Sequence, residues 1–152
     1  MKKLISLVLV LVLCLSLAAC GKEPTLEDLL QCPVGADLDE LEKFLKDCGY
    51  EIENTSDSAI SFTHGSWDGL ASTQAIMLSM NSDATQDDID AMREEIQAIC
   101  GDPYNENTSN GYGMTSTKEF YTDGNSVIVL DISEGIMSSV RVVIYPGAAN
   151  NS

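Results

Sequence analysis

Several places in this chain carry side chains whose types and spacing could do chemistry. Cys20 follows the small residues Ala18 and Ala19 and precedes Gly21. A thiolate is a good nucleophile, and small neighbours let an enzyme reach the backbone beside it. His64, Ser66 and Asp68 supply the residue types of a nucleophile, base and orienter. Three such residues on one turn rarely reach triad geometry, and no nucleophile elbow surrounds Ser66. His64 therefore reads as a surface residue at a strand end, and Trp67 as a half-packed turn residue. Asn81, Asp83, Thr85 and Asp87 alternate like the start of a calcium loop. Gln86 stands where that loop needs Gly, and Met92 where it needs a bidentate Glu. Asp87, Asp88 and Asp90 read instead as acids at the positive end of a helix dipole. No metal site and no cofactor is expected.

Three further cysteines, Cys32, Cys48 and Cys100, form an odd set. At most one intramolecular disulfide can join them, and Cys32–Cys48 and Cys48–Cys100 are both open. The alternative is that they are small buried hydrophobes. Cys48 and Cys100 each precede a Gly at an expected helix end, which favours that alternative. No CxxC occurs, so neither thioredoxin-like chemistry nor a zinc site has support.

Cys20 closes a distinctive leader. Lys2 and Lys3 precede an apolar run over residues 4–17, broken only by Ser6, Cys14 and Ser16. The run is short of the roughly 20 residues that span a bilayer. With Leu17-Ala18-Ala19-Cys20, the segment resembles a bacterial lipoprotein signal peptide with its lipobox. The resemblance implies cleavage before Cys20, a diacylglycerol thioether on its sulfur, and a place on the extracytoplasmic side of a bacterial membrane. Acyl chains anchor through about 0.8 kcal/mol per buried CH₂. The expected division is a signal peptide over 1–19, a lipid-anchored tether over 20–24, one domain over 25–146 and a flexible tail over 147–152.

The chain has 152 residues and a formal charge of −16; without Lys2 and Lys3 this becomes −18. An acidic surface offers no basic stripe to phosphates, which argues against nucleic acid. It is also repelled by anionic headgroups, so membrane attachment falls to the lipid on Cys20. Residues 20–152 are about 39% apolar, against roughly 45–50% in ordinary globular chains. A core then depends on placing the apolar residues with period.

They are so placed. Thr25 reads as an N-cap, with Leu26, Leu29 and Leu30 on one face and Pro33 ending the helix. Asp37 and Glu40 open a second helix with the stripe Leu38, Leu41, Phe44, Leu45 and Cys48. A short strand is expected at 51–53, another at 59–64, a turn over 65–69 and a strand over 74–80. Thr85 caps a third helix carrying Ile89, Met92, Ile96 and Ile99. Residues 105–113 read as a polar loop, followed by strands at about 115–122, 126–133 and 138–145. This order predicts an α+β fold: an antiparallel sheet with helices on one face, built from a duplicated αβββ unit or from two helices alike by chance.

The last two strands allow a definite register. Pairing Asp131 with Arg141 sets Leu130 against Val142, Val129 against Val143 and Val127 against Tyr145. A slip of one residue would put Arg141 among apolar side chains. Val127, Val129, Val143, Tyr145 and Tyr121 then share one face, and Ile128, Leu130, Ile132, Val142 and Ile144 the other. Either both faces are covered, or the first is an exposed surface for a protein partner or a second copy. The layout resembles the β-lactamase-inhibitory-protein fold and the small lipoproteins of the outer-membrane assembly machinery, a likeness that transfers no residues. The expected function is a non-enzymatic, lipid-anchored envelope protein that binds a protein partner or assists envelope assembly. The alternative is a lipoprotein that binds a small ligand or metal ion.

Overall fold

The computed structural model describes residues 23–33, 35–80, 85–135 and 138–151. Cys20, Asn81 and Asp83 lie outside the described residues. The three expected helices form: α1 over Leu26–Leu30, α2 over Leu38–Asp47 and α3 over Gln86–Cys100. Their ends follow the capping residues. The Thr25 and Thr85 hydroxyls accept the N–H groups of Asp28 and Asp88, whose carboxylates bind the cap residues in return. Asp37 accepts the Glu40 N–H. Gly49 and Gly101 stop α2 and α3 at φ values of 95° and 77°, a region that glycine enters without steric cost.

Eight strands accompany the helices, four before α3 and four after it: β1 Ile52–Thr55, β2 Ile60–His64, β3 Trp67–Ala71, β4 Ile76–Met80, β5 Asn105–Gly111, β6 Met114–Thr122, β7 Val127–Gly135 and β8 Ser139–Tyr145. Two were not expected. The turn expected over 65–69 holds the first three residues of β3, because the reversal needs only Gly65 and Ser66. The polar segment 105–113 is not a loop but β5 and its turn, paired to β6 from Asn105–Phe120 to Gly111–Met114. Tyr112 and Gly113 make that turn with φ of 53° and 74°. Positive φ at both central residues suits the twist of a two-residue hairpin.

All pairings are antiparallel, in the order β1-β2-β3-β4-β8-β7-β6-β5. Each half is thus a helix followed by a four-stranded meander, one strand more than the expected αβββ unit. The halves meet through their last strands, as a twofold axis between β4 and β8 would place them. The β7–β8 register is the expected one: Asp131 faces Arg141, Leu130 faces Val142, Val129 faces Val143 and Val127 faces Tyr145.

The helices pack on one face of the sheet. Leu29, Leu41, Leu45 and Ile96 are fully buried against Ile60, Phe62, Leu78, Ile128, Leu130 and Val142. Polar groups also cross this layer. The Tyr50 hydroxyl donates to the Thr25 carbonyl at 2.6 Å, and the Leu26 N–H donates to Glu95 at 3.1 Å. Residues Ala148–Asn151 form a 3₁₀ turn whose Ala149 N–H donates to the Asn125 carbonyl, so this stretch is tied to the body.

Candidate interaction surface

Side chains alternate across a strand, so burying one set under the helices turns the other to the far face. On the far face the cross-strand pairs line up Leu70, Met77, Val143, Val129 and Phe120 across β3, β4, β8, β7 and β6. At about 4.8 Å per strand this apolar row is about 19 Å long. Val127 and Tyr145 widen it on one side. Tyr104 extends it at one end, its ring 6.4 Å from that of Phe120. No helix among the described residues lies on this face. Leu70 is 38% exposed, Tyr145 42% and Tyr104 59%.

Val127, Val129, Val143 and Tyr145 stand where the alternation put them. Tyr121 does not. It pairs with Ile128, which turns its ring to the helix side, where it is fully buried. Phe120 takes its place on the open face through its pairing with Val129. Leu70 and Met77 were missed because the β4–β8 pairing that joins the two halves is remote in sequence, and Tyr104 because residues 105–113 read as a loop and not as a strand beside Phe120.

A polar row runs beside the apolar one, two residues along each strand: Asp68, Ser79, Arg141, Asp131 and Lys118. Asp131 is buried, its Oδ2 3.5 Å from both the Arg141 guanidinium and the Lys118 ammonium. The Ser116 hydroxyl donates to its Oδ1 at 3.1 Å. Arg141 and Lys118 themselves remain about half exposed, with side-chain exposures of 48% and 47%. This stretch of an acidic chain therefore shows cations to solvent and keeps its carboxylate inside.

The other chemical candidates separate in space. His64 does end strand β2, but it lies on the helix side and is buried, not at the surface. Its ring faces Tyr50 at 5.8 Å, and its Nε2 lies 3.7 Å from Glu95. Asp68 projects from the opposite face and Ser66 from an exposed turn, so the three cannot form a triad. Trp67 opens β3 and is 6% exposed, buried rather than half-packed in a turn. Among the described residues no disulfide joins Cys32, Cys48 and Cys100. Burial pushes the Cys32 and Cys100 thiols up to about 11, away from the reactive thiolate.

On the helix side Arg93 and Glu119 form an ion pair whose Glu119 carboxylate also accepts the Tyr121 hydroxyl. Its groups satisfy one another, so it reads as a structural tie between α3 and β6. Among the described residues no group of three His, Cys, Asp or Glu side chains could hold a metal ion, and no helix is long and apolar enough to cross a membrane. The chain matches no family model, no curated protein and no solved structure.

Proposed function

We propose that this chain is a non-enzymatic lipoprotein, held at the extracytoplasmic side of a bacterial membrane by acyl chains on Cys20, that binds a protein partner through its open sheet face. The carrying observation is the apolar row Leu70–Met77–Val143–Val129–Phe120, over which no helix among the described residues lies. Contiguous apolar surface exposed on one face marks an interaction site in a soluble body. The lipobox residues Leu17-Ala18-Ala19-Cys20 support the anchor. Labelling cells with a clickable fatty acid tests it: the chain takes up label, and Cys20→Ala loses the label and leaves the membrane fraction. A photo-crosslinking residue at Val129 tests the face. A discrete adduct there, with none from exposed Ser58, supports the partner reading. Absence of label sinks the anchor, and absence of an adduct sinks the partner.

One observation favours a second reading, a lipoprotein that binds a small ligand. A crevice lined by His64, Trp67, Met92 and Glu95 opens beside the buried Nδ1 of His64, which meets no hydrogen-bond partner among the described residues. A thermal-shift screen against small molecules and divalent cations tests it. Stabilisation that Glu95→Gln abolishes would favour this reading.

A further inference from the structure

One end of the open face shows cations, in a chain that is otherwise strongly acidic. Arg141 precedes Val143 on its strand by two residues, and Lys118 stands in the same relation to Phe120. Between them Asp131 is withdrawn, buried and shared by both cations. Along β8, β7 and β6 the apolar row is thus flanked by two exposed cations, and the carboxylate they share, Asp131, is hidden. Asp68, exposed at the other end of the polar row, lies two strands from Arg141. The cationic stretch is therefore confined to the Val143–Val129–Phe120 end.

Resting on the reading above that this face binds protein, we propose that its occupant is a partner segment with apolar side chains and carboxylates along one flank, seated beside Arg141 and Lys118. The geometry disfavours the two other occupants. Cys20 lies five residues before Thr25, and five extended residues reach at most about 17 Å. Thr25 sits in the helix layer, its carbonyl accepting the Tyr50 hydroxyl. A lipid on Cys20 would therefore tether the body from its helix side, away from the open face. A second copy would bring together two bodies whose net charge, −18 without Lys2 and Lys3, opposes contact. A partner carboxylate meets the guanidinium in a charge-assisted hydrogen bond, which fixes register as well as affinity.

The full chain in zwitterionic nanodiscs, titrated with two labelled peptides, tests this. Both peptides carry one Leu/Phe face; one has Glu along its flank and the other Lys. The Glu peptide should bind at least tenfold more tightly, and Val129→Asp should abolish its binding. Asp131→Asn, which frees both cations, should tighten the Glu peptide severalfold. Lys118→Gln/Arg141→Gln combined with Asp131→Asn, which leaves no carboxylate stranded, should remove the preference. Equal or tighter binding of the Lys peptide overturns the proposal, as does failure of both to bind, as does binding to anionic vesicles through Val129. A crosslinked adduct at Val129 together with a preference for the Lys peptide would leave the partner reading standing and this inference refuted.

Discussion

Arg93 on α3 reaches down to the sheet and holds Glu119 on β6 with two guanidinium nitrogens, Nε at 3.0 Å and Nη2 at 2.9 Å. Glu119 occupies a core-facing position opposite Leu130 and is 7% exposed. Removing one partner of a buried pair strands the other charge. Arg93→Met should lower stability by about 3 kcal/mol in urea denaturation. Arg93→Met with Glu119→Leu and Tyr121→Phe, which replaces the whole cluster with apolar groups, should recover most of it. A single-variant loss below about 1 kcal/mol would show that the pair is solvent-screened.

The same pair sets an acid limit. Burial pushes the Glu119 carboxyl up, but Arg93 and the Tyr121 hydroxyl together outweigh it and leave it below its ordinary value. The Glu95 carboxyl is lowered first by its hydrogen bond with His64, against the opposing effect of burial and with help from the Leu26 N–H. A carboxylate lowered in the folded state contributes stability above its unfolded pKa of about 4.3. That contribution is lost as pH falls through the lowered native value. Denaturation between pH 3 and pH 7 should show this decline, and Glu95→Gln with Glu119→Gln should flatten it.

Phe62 lies against its cross-strand partner Gly69 so closely that a Cβ on Gly69 would meet the ring at 2.5 Å. Phe62 is fully buried, so its ring has nowhere to go. Gly69→Ala should cost about 1–3 kcal/mol by overpacking. Phe62→Leu in the same chain should return part of that loss, a non-additivity that a double-mutant cycle measures. Strictly additive losses would mean that the ring does not set the cost.

Tyr112 is fully exposed at the tip of the β5–β6 hairpin with φ of 53°. A tyrosine gains nothing there and bears the strain of a left-handed backbone. Tyr112→Asn should stabilise the chain by about 0.5–1 kcal/mol, because Asn enters this region more readily. A thermal melt checks it, and an unchanged or lower Tm would refute the assigned turn.

The Cys32 and Cys100 thiols, pushed up to about 11, should resist alkylation by iodoacetamide at pH 8 in the folded chain and react on unfolding. Mass spectrometry of the two cysteine-bearing peptides reads this directly. Native-state labelling of Cys32 at the rate of a free thiol would contradict its burial.

The sequence showed helix ends better than strand existence. Thr25, Asp37 and Thr85 sit beside the N–H groups they satisfy, and a cap acts over three residues, so it can be read locally. β3 and β5 gave no such signal. Asp68 and Gly69 resemble turn residues, and Asn105–Gly111 has no apolar alternation at all. β5 forms because β6 offers seven paired positions and the 112–113 turn returns the chain onto it. Half of the candidate surface was legible because β7 and β8 are neighbours in sequence and carry one sensible register.

Sequence alone determined the caps, the α+β class and the Asp131–Arg141 register, each set by contacts between residues near in the chain. It could not determine which way β6 faces. Phe120 and Tyr121 are adjacent aromatics, and a strand sends neighbours to opposite sides. Pairing with β7 decided that Tyr121 enters the core while Phe120 joins Val129 on the open face. Nor could it decide that β4 docks on β8, which extends the row to Met77 and Leu70. That docking closes contacts some sixty residues apart, and the helices pack together on one face, so that none of the described ones covers the other.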